Sequence, residues 1–171
     1  MKLIITDVSV LFDLYQLEIL PEFFALKAEI SIASFVYNEI VVDNQISEFE
    51  VYKRAQKLKI ITLSEDDQEA VNQFATKRNL KSLPDKTMLL KSVQLKCALL
   101  TCDKKLKSEA GEHGIEVHDS IWVIEKLIEE NILSSTKAIS VLNELKIIND
   151  RLPIDEVEKL IKKLKIIEIT A

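Results

Sequence analysis

The sequence is poor in chain breakers, with two Gly and three Pro among 171 residues. That scarcity excludes collagen-like, linker-rich and turn-rich all-β designs, and leaves long helices joined by short connections. Cysteine is scarce too. Cys97 and Cys102 form neither a CxxC pair nor a zinc-type arrangement, so two reduced, buried thiols are expected rather than a disulfide framework. No stretch reaches the roughly 18 apolar residues of a membrane span. The opening MKLIITDVSV also lacks a long apolar signal-peptide core. A cytoplasmic protein with no membrane partner is the expectation. Gly111 and Gly114 make only GxxG, which leaves nucleotide binding of the Rossmann or P-loop type unsupported. There is no G-x-S-x-G elbow and no Cys with an obvious His partner, so serine and cysteine hydrolase chemistry has no support either.

What is present describes one folded unit. Apolar residues make up 47% of the chain and charged residues 30%, enough to bury a core and too apolar for a disordered tail. The length suits a single domain with a short appendage. The net charge is −5 and the pI is near 5.2, which counts against coating nucleic acid by bulk electrostatics. Acids can instead hold divalent cations and meet phosphate through them.

Patterning alternates between short apolar runs and helical periods. Strand-like runs fall at 3–6, 29–33, 58–63, 98–101 and 115–117. Between them, Ser9 is a candidate N-cap and Pro21 opens a short helix. Ser34 caps a helix with Phe35, Val36, Ile40 and Val41 inward and Glu39 late in it, and an amphipathic helix follows over 43–57. Ser64 to Asp67 reads as a capping box for a helix reaching about residue 78. Ser82-Leu-Pro-Asp85 starts another helix with Met88, Leu89, Val93 and Leu95 inward, and Asp103 starts the next. Beyond Ser120 the strands stop and helices are expected over 120–131, 134–149 and 153–165. The alternation predicts an α/β fold with a parallel, doubly wound sheet. Residues 1–120 form the domain and 121–171 a helical extension packed on it.

In such sheets ligands bind outside the carboxyl ends of the strands. Asp7 directly follows the first strand and Asp103 the fourth, so adjacent strands would put both carboxylates in one cleft. Asp85 opens the helix before the fourth strand, and Glu39 sits where an acid opposes the helix dipole. Two of the acids have a structural reading as well: Asp103 as an N-cap and Asp85 as a complement to its helix N-terminus, whereas Asp7 has no obvious structural job beside Ser9 as the cap. Converging carboxylates repel unless a divalent ion neutralises them, and hard oxygen ligands select Mg²⁺ or Mn²⁺. Asp119 reads as an N-cap or as a further acid, His113 and His118 as helix-end and strand-end residues, and Trp122 as packing or as a protein contact on the extension.

The segments ITDVSVLFDL, SFVYNEI, LPDKTMLLKSVQLKCALLTCDKKLK and GIEVHD, in this order, resemble the PIN domain, a nuclease family typical of toxin–antitoxin toxins. The resemblance covers roughly residues 1–120, and the C-terminal helices are similar to extensions of some prokaryotic members. L-L-T-C-D-K-K-L is its most specific piece. Asp7, Glu39, Asp85 and Asp103 match the family's four acids, the Asp85-to-Asp103 spacing included. Ser9 and Thr101 match supporting hydroxyl positions.

The resemblance implies a three-layer α/β/α fold with a central parallel sheet of four to five strands plus C-terminal helices. It implies a metal-dependent endoribonuclease, with Mg²⁺ or Mn²⁺ on Asp7, Asp85 and Asp103 and with Glu39 acting directly or through water. The products would carry a 5′-phosphate and a 3′-hydroxyl. Expected partners are RNA, a cognate antitoxin and a second copy of the chain. Lys86, Lys104, Lys105 and Lys107 are candidate phosphate contacts, equally readable as a solvated face. Lys86 departs from the family's small residue and could pair with Asp85. The alternative is a non-catalytic PIN-like protein-binding module. A receiver domain would need an Asp ending the third strand, where Thr62 and Leu63 stand.

Overall fold

A computed structural model describes residues 2–74, 80 and 82–170, with the backbone alone for Lys2 and residues 167–170. Five strands build one sheet: β1 (Lys2–Thr6), β2 (Ala28–Ala33), β3 (Leu58–Ile61), β4 (Ala98–Leu100) and β5 (Val117–His118). Their order is β3-β2-β1-β4-β5 and every pairing is parallel. Ile4, Ile5, Ile30, Ile32, Leu99 and Leu100 are all buried, as expected of strands covered on both faces.

Helices supply the covers. They are α1 (Val8–Gln16), α2 (Leu20–Phe23), α3 (Ser34–Tyr37), α4 (Asp43–Arg54), α5 (Glu65–Gln73), α6 (Leu83–Leu95), α7 (Lys104–Glu112), α8 (Ser120–Glu129), α9 (Ser135–Ile148) and α10 (Ile154–Thr170). α6 lies against β1, β2 and β4 and is flanked by α5 and α7, with Met88 and Leu89 fully buried. α1 and α2 meet α8, which meets α9, which meets α10. The result is the expected α/β/α layering.

Local chemistry explains most of the boundaries. Ser64 and Asp67 form a full capping box at the start of α5. Asp67 also meets Lys91 of α6 at 2.6 Å, and that ammonium, with the Ser64 contacts, holds its carboxyl well below the usual range. Asp119 caps α8 by accepting from the N–H groups of Ile121 and Trp122 at 3.0 and 3.2 Å. Cys97 and Cys102 are free and buried, and burial pushes both thiols up. The expected continuation of the α5 helix to residue 78 falls on 75–79, outside the described residues.

Four local expectations are corrected. Ser9 is not the N-cap of α1: the helix starts at Val8, and Ser9 turns its hydroxyl to Asp7 instead. Ser34 is the first helical residue, with Ala33 at the cap. α3 stops at Tyr37, so Glu39 lies beyond it and Val41 is 76% exposed rather than inward. Leu95, at the last turn of α6, is 47% exposed because it lines an open hollow beside Leu3 and Gly114.

Candidate active site at the strand switch point

The chain runs β1, β2, β3 in one direction and then returns to place β4 on the other side of β1. At such a switch in an α/β sheet the connecting loops diverge and ligands bind outside the carboxyl ends of the strands, here those of β1 and β4. Thr6 pairs with Leu100, and the Asp7 N–H continues the ladder to the Leu100 carbonyl at 2.8 Å. Asp7 and Asp103 therefore leave neighbouring strand ends.

One buried hydroxyl ties these two loops together. Thr101, fully buried, donates to Asp7 Oδ2 at 3.1 Å and accepts the Asp103 N–H at 3.1 Å. Ser9 donates to the same Asp7 oxygen at 2.7 Å. Asp103 Oδ1 caps α7 through the Leu106 N–H at 2.8 Å. Its structural reading is therefore realised, and one carboxylate oxygen is used in doing so.

Asp85 sits in the first turn of α6, its N–H donating to Ser82 Oγ at 3.4 Å. Burial, then the charges of Asp7 and Asp103, push its carboxyl from the ordinary 3.8 up to about 6, with Glu39 adding to the rise. Glu39 is raised as well, by burial and by Asp7. Asp85 thus lies within the field of the other three acids, and Glu39 within that of Asp7, as like charges near one another must. Among the described residues, however, no three His, Cys, Asp or Glu side chains stand close enough to hold one ion. The donor chemistry fits a hard divalent cation, since all four are carboxylates.

The candidate phosphate contacts separate. Lys104 and Lys105, both exposed, line a cavity of about 480 Å³ together with Asp103 and Arg151. Lys86 is half-buried and follows Asp85 directly in the first turn of α6. Lys107 is committed to an ion pair with Asp119, which removes it from the set. A larger cavity of about 780 Å³ opens beside Leu3, Cys97, Ala98 and Gly114, at the amino ends of β1 and β4. None of the four acids lines it, so the chemistry and the largest of these hollows lie at opposite ends of the sheet.

A family model described as PIN domain (DUF3368) matches residues 3–166. The chain belongs to the PIN-domain family. PIN domains are generally nucleases and typically use divalent metals. The solved structure of PAE2754 from Pyrobaculum aerophilum is similar in fold to this PIN domain, with a TM-score of 0.53 at 15% identity. The match covers 75% of this chain and 90% of that one. No curated protein matches the sequence. Among the described residues of the PIN domain, no helix is long and apolar enough to cross a membrane.

Beside the cleft lies a network that the sequence reading missed. Asp13 of α1 is 8% exposed, and its Oδ2 accepts from Ser120 Oγ and Asn149 Nδ2, both at 2.6 Å. Burial raises this carboxyl while the hydrogen bonds oppose the rise. The one available signal was an acid on the inward stripe of α1 beside Val10, Leu11 and Leu14. Its partners, far along the chain, gave none.

Proposed function

We propose that this PIN domain is a divalent-metal-dependent endoribonuclease that hydrolyses RNA phosphodiesters with Mg²⁺ or Mn²⁺. The observation that carries the reading is the meeting of Asp7 and Asp103 at the neighbouring carboxyl ends of β1 and β4, bridged by Thr101, with the charges of both and of Glu39 bearing on Asp85. When bound, the cation supplies an activated water and charge stabilisation on the phosphate oxygens. Asp7, Asp85 and Asp103 would hold it, with Glu39 acting directly or through water. Ser9 and Thr101 orient the Asp7 carboxylate through its Oδ2. Lys104 and Lys105 offer ammonium groups to backbone phosphates beside Asp103, and Lys86 extends the same set from α6. The products would carry a 5′-phosphate and a 3′-hydroxyl.

In this reading residues 1–120 carry the chemistry and 121–171 are an extension packed on them. The protein is the toxin of a toxin–antitoxin pair, cytoplasmic, held by a cognate antitoxin and able to dimerise. The test compares purified wild-type protein, Asp7→Asn and Asp103→Asn on RNA with Mn²⁺ or Mg²⁺. Cleavage by the wild type alone is expected. Equal cleavage by all three would mean a contaminating nuclease and end the assignment.

A second reading, a non-catalytic PIN-like protein-binding module, is favoured by one observation. Among the described residues no three acids bracket a common ion, while Asp103 already serves as a cap. Calorimetry with Mn²⁺ separates the two: the nuclease releases site-specific heat that Asp7→Asn abolishes, whereas the module releases none.

A further inference from the structure

The four acids and their lysines leave unused the turn between α9 and α10. Asn149 ends α9 as its C-cap. Its Nδ2 donates to buried Asp13, and its Oδ1 accepts the Arg151 N–H at 3.0 Å. Asp13 Oδ2 also receives the Ser120 hydroxyl and, at 3.8 Å, the Cys102 thiol. One carboxylate oxygen of α1 thereby fixes the α9 end relative to α8 and to the loop that carries Asp103. A carboxylate is a costly way to fill a buried position where an apolar side chain would pack. What it supplies here is the placement of the turn.

Two hollows meet at that turn. One, of about 290 Å³, is lined by Ser9, Phe12 and Asp13 among others; the second, of about 480 Å³, by Asp103, Lys104 and Lys105. Both share Cys102, Asp150 and Arg151. Arg151 is exposed and lines both hollows, which together reach from Ser9, the partner of Asp7, to Lys104 and Lys105 of α7. A chain with net charge −5 needs a local cationic rim to engage a phosphate backbone. A planar guanidinium grips phosphate with paired N–H bonds that an ammonium cannot match. Asp103 and Asp150 line the second hollow beside Lys104, Lys105 and Arg151, and the acid of the first, Asp13, is buried and hydrogen-bonded.

We propose that the Asn149–Arg151 turn, pinned to α1 by buried Asp13, is a phosphate-binding rim that guides a nucleic-acid backbone past the acid cleft. Arg151 contacts the phosphate, and Asp13 and Asn149 are positioning residues. The inference deepens the nuclease reading and rests on it for the class of ligand.

The test measures binding of a fluorescein-labelled single-stranded oligoribonucleotide to the full chain, in EDTA, across a salt series. Arg151→Ala is expected to weaken binding about tenfold and to lower the slope of log affinity against log salt by about 0.7. Arg151→Lys restores the slope but not the full affinity. Asn149→Ala weakens binding in the wild-type background and adds nothing to Arg151→Ala, a coupling that a generally structural role would not produce. Unchanged affinity and slope in Arg151→Ala overturns the proposal, as do additive effects of the two substitutions or no binding by the wild type. Cleavage of the same oligonucleotide in Mn²⁺ is read separately. Equal cleavage by wild type and Asp7→Asn sinks the nuclease reading, and the binding series still judges the rim.

Discussion

Asp85 shows how a single side chain records the character of the cleft. Its carboxyl is raised to about 6 by burial and by its acidic neighbours, so folding makes this group harder to ionise. Between about pH 4 and pH 6 the unfolded chain loses this proton while the folded chain keeps it, and stability falls across that window. Above it the whole penalty is present. Asp85→Asn is therefore expected to stabilise the metal-free protein at pH 7 by about 1 kcal/mol, allowing for solvent screening. It should leave stability at pH 4 nearly unchanged, and urea unfolding at the two pH values checks both. The substitution should also abolish the Tm gain from Mn²⁺, which in the wild type should fade below about pH 6 as protons compete for Asp85. Thr101 carries a second residue-scale prediction. Thr101→Val preserves shape but orphans the Asp103 N–H and removes a donor from Asp7, at about 1–3 kcal/mol. Thermal unfolding should register that as a lower Tm, and activity should fall further because Asp7 loses its orientation.

At the scale of elements, junction acids follow each of three strands and serve differently. Asp7 stands at the start of α1 without a side-chain cap bond and is occupied by hydroxyls. Asp103 combines a cap on α7 with a place in the cleft. Asp119, after β5, is given over to α8 and to Lys107 of α7. The same strand–Asp–helix pattern therefore marks both cleft and cap, and sequence alone could not rank them. Asp119→Ala is expected to cost about 1 kcal/mol for the lost cap, a Tm decrease of about 2–4 °C by scanning fluorimetry. The cleavage rate should stay at the wild-type level. A large loss of activity in a folded Asp119→Ala protein would place that residue in the cleft.

Among the described residues, one buried core runs through both parts of the chain. Ile124, Leu127, Leu142, Leu145, Val157 and Ile161 of the C-terminal helices belong to the same buried cluster as Ile4, Leu14 and Leu99. α8 in particular covers α1 and α2. A chain ending at residue 120 would expose the apolar faces of α1 and α2 that α8 covers. Such a truncation is expected to lose its cooperative unfolding transition and to bind ANS. Retention of a sharp transition would show that the extension is energetically separate.

The alternation of apolar runs with helical periods, the near absence of Gly and Pro, and the Asp residues after the first and fourth runs were enough to specify a parallel α/β sheet with acids at strand ends. Those signals are local: periodicity, caps and breakers act within one or two turns of the chain. The same locality explains the errors, because Ser9 and Ser34 look like caps to their neighbours whatever the third dimension does with them. The placement of β4 beside β1 was not local, and it alone makes Asp7 and Asp103 neighbours. Nor was the meeting of Asp13 with Asn149, which depends on where α9 ends after α8 has docked. Long-range pairings are decided by which faces must be buried together, a property of the assembled core that no short stretch of sequence carries.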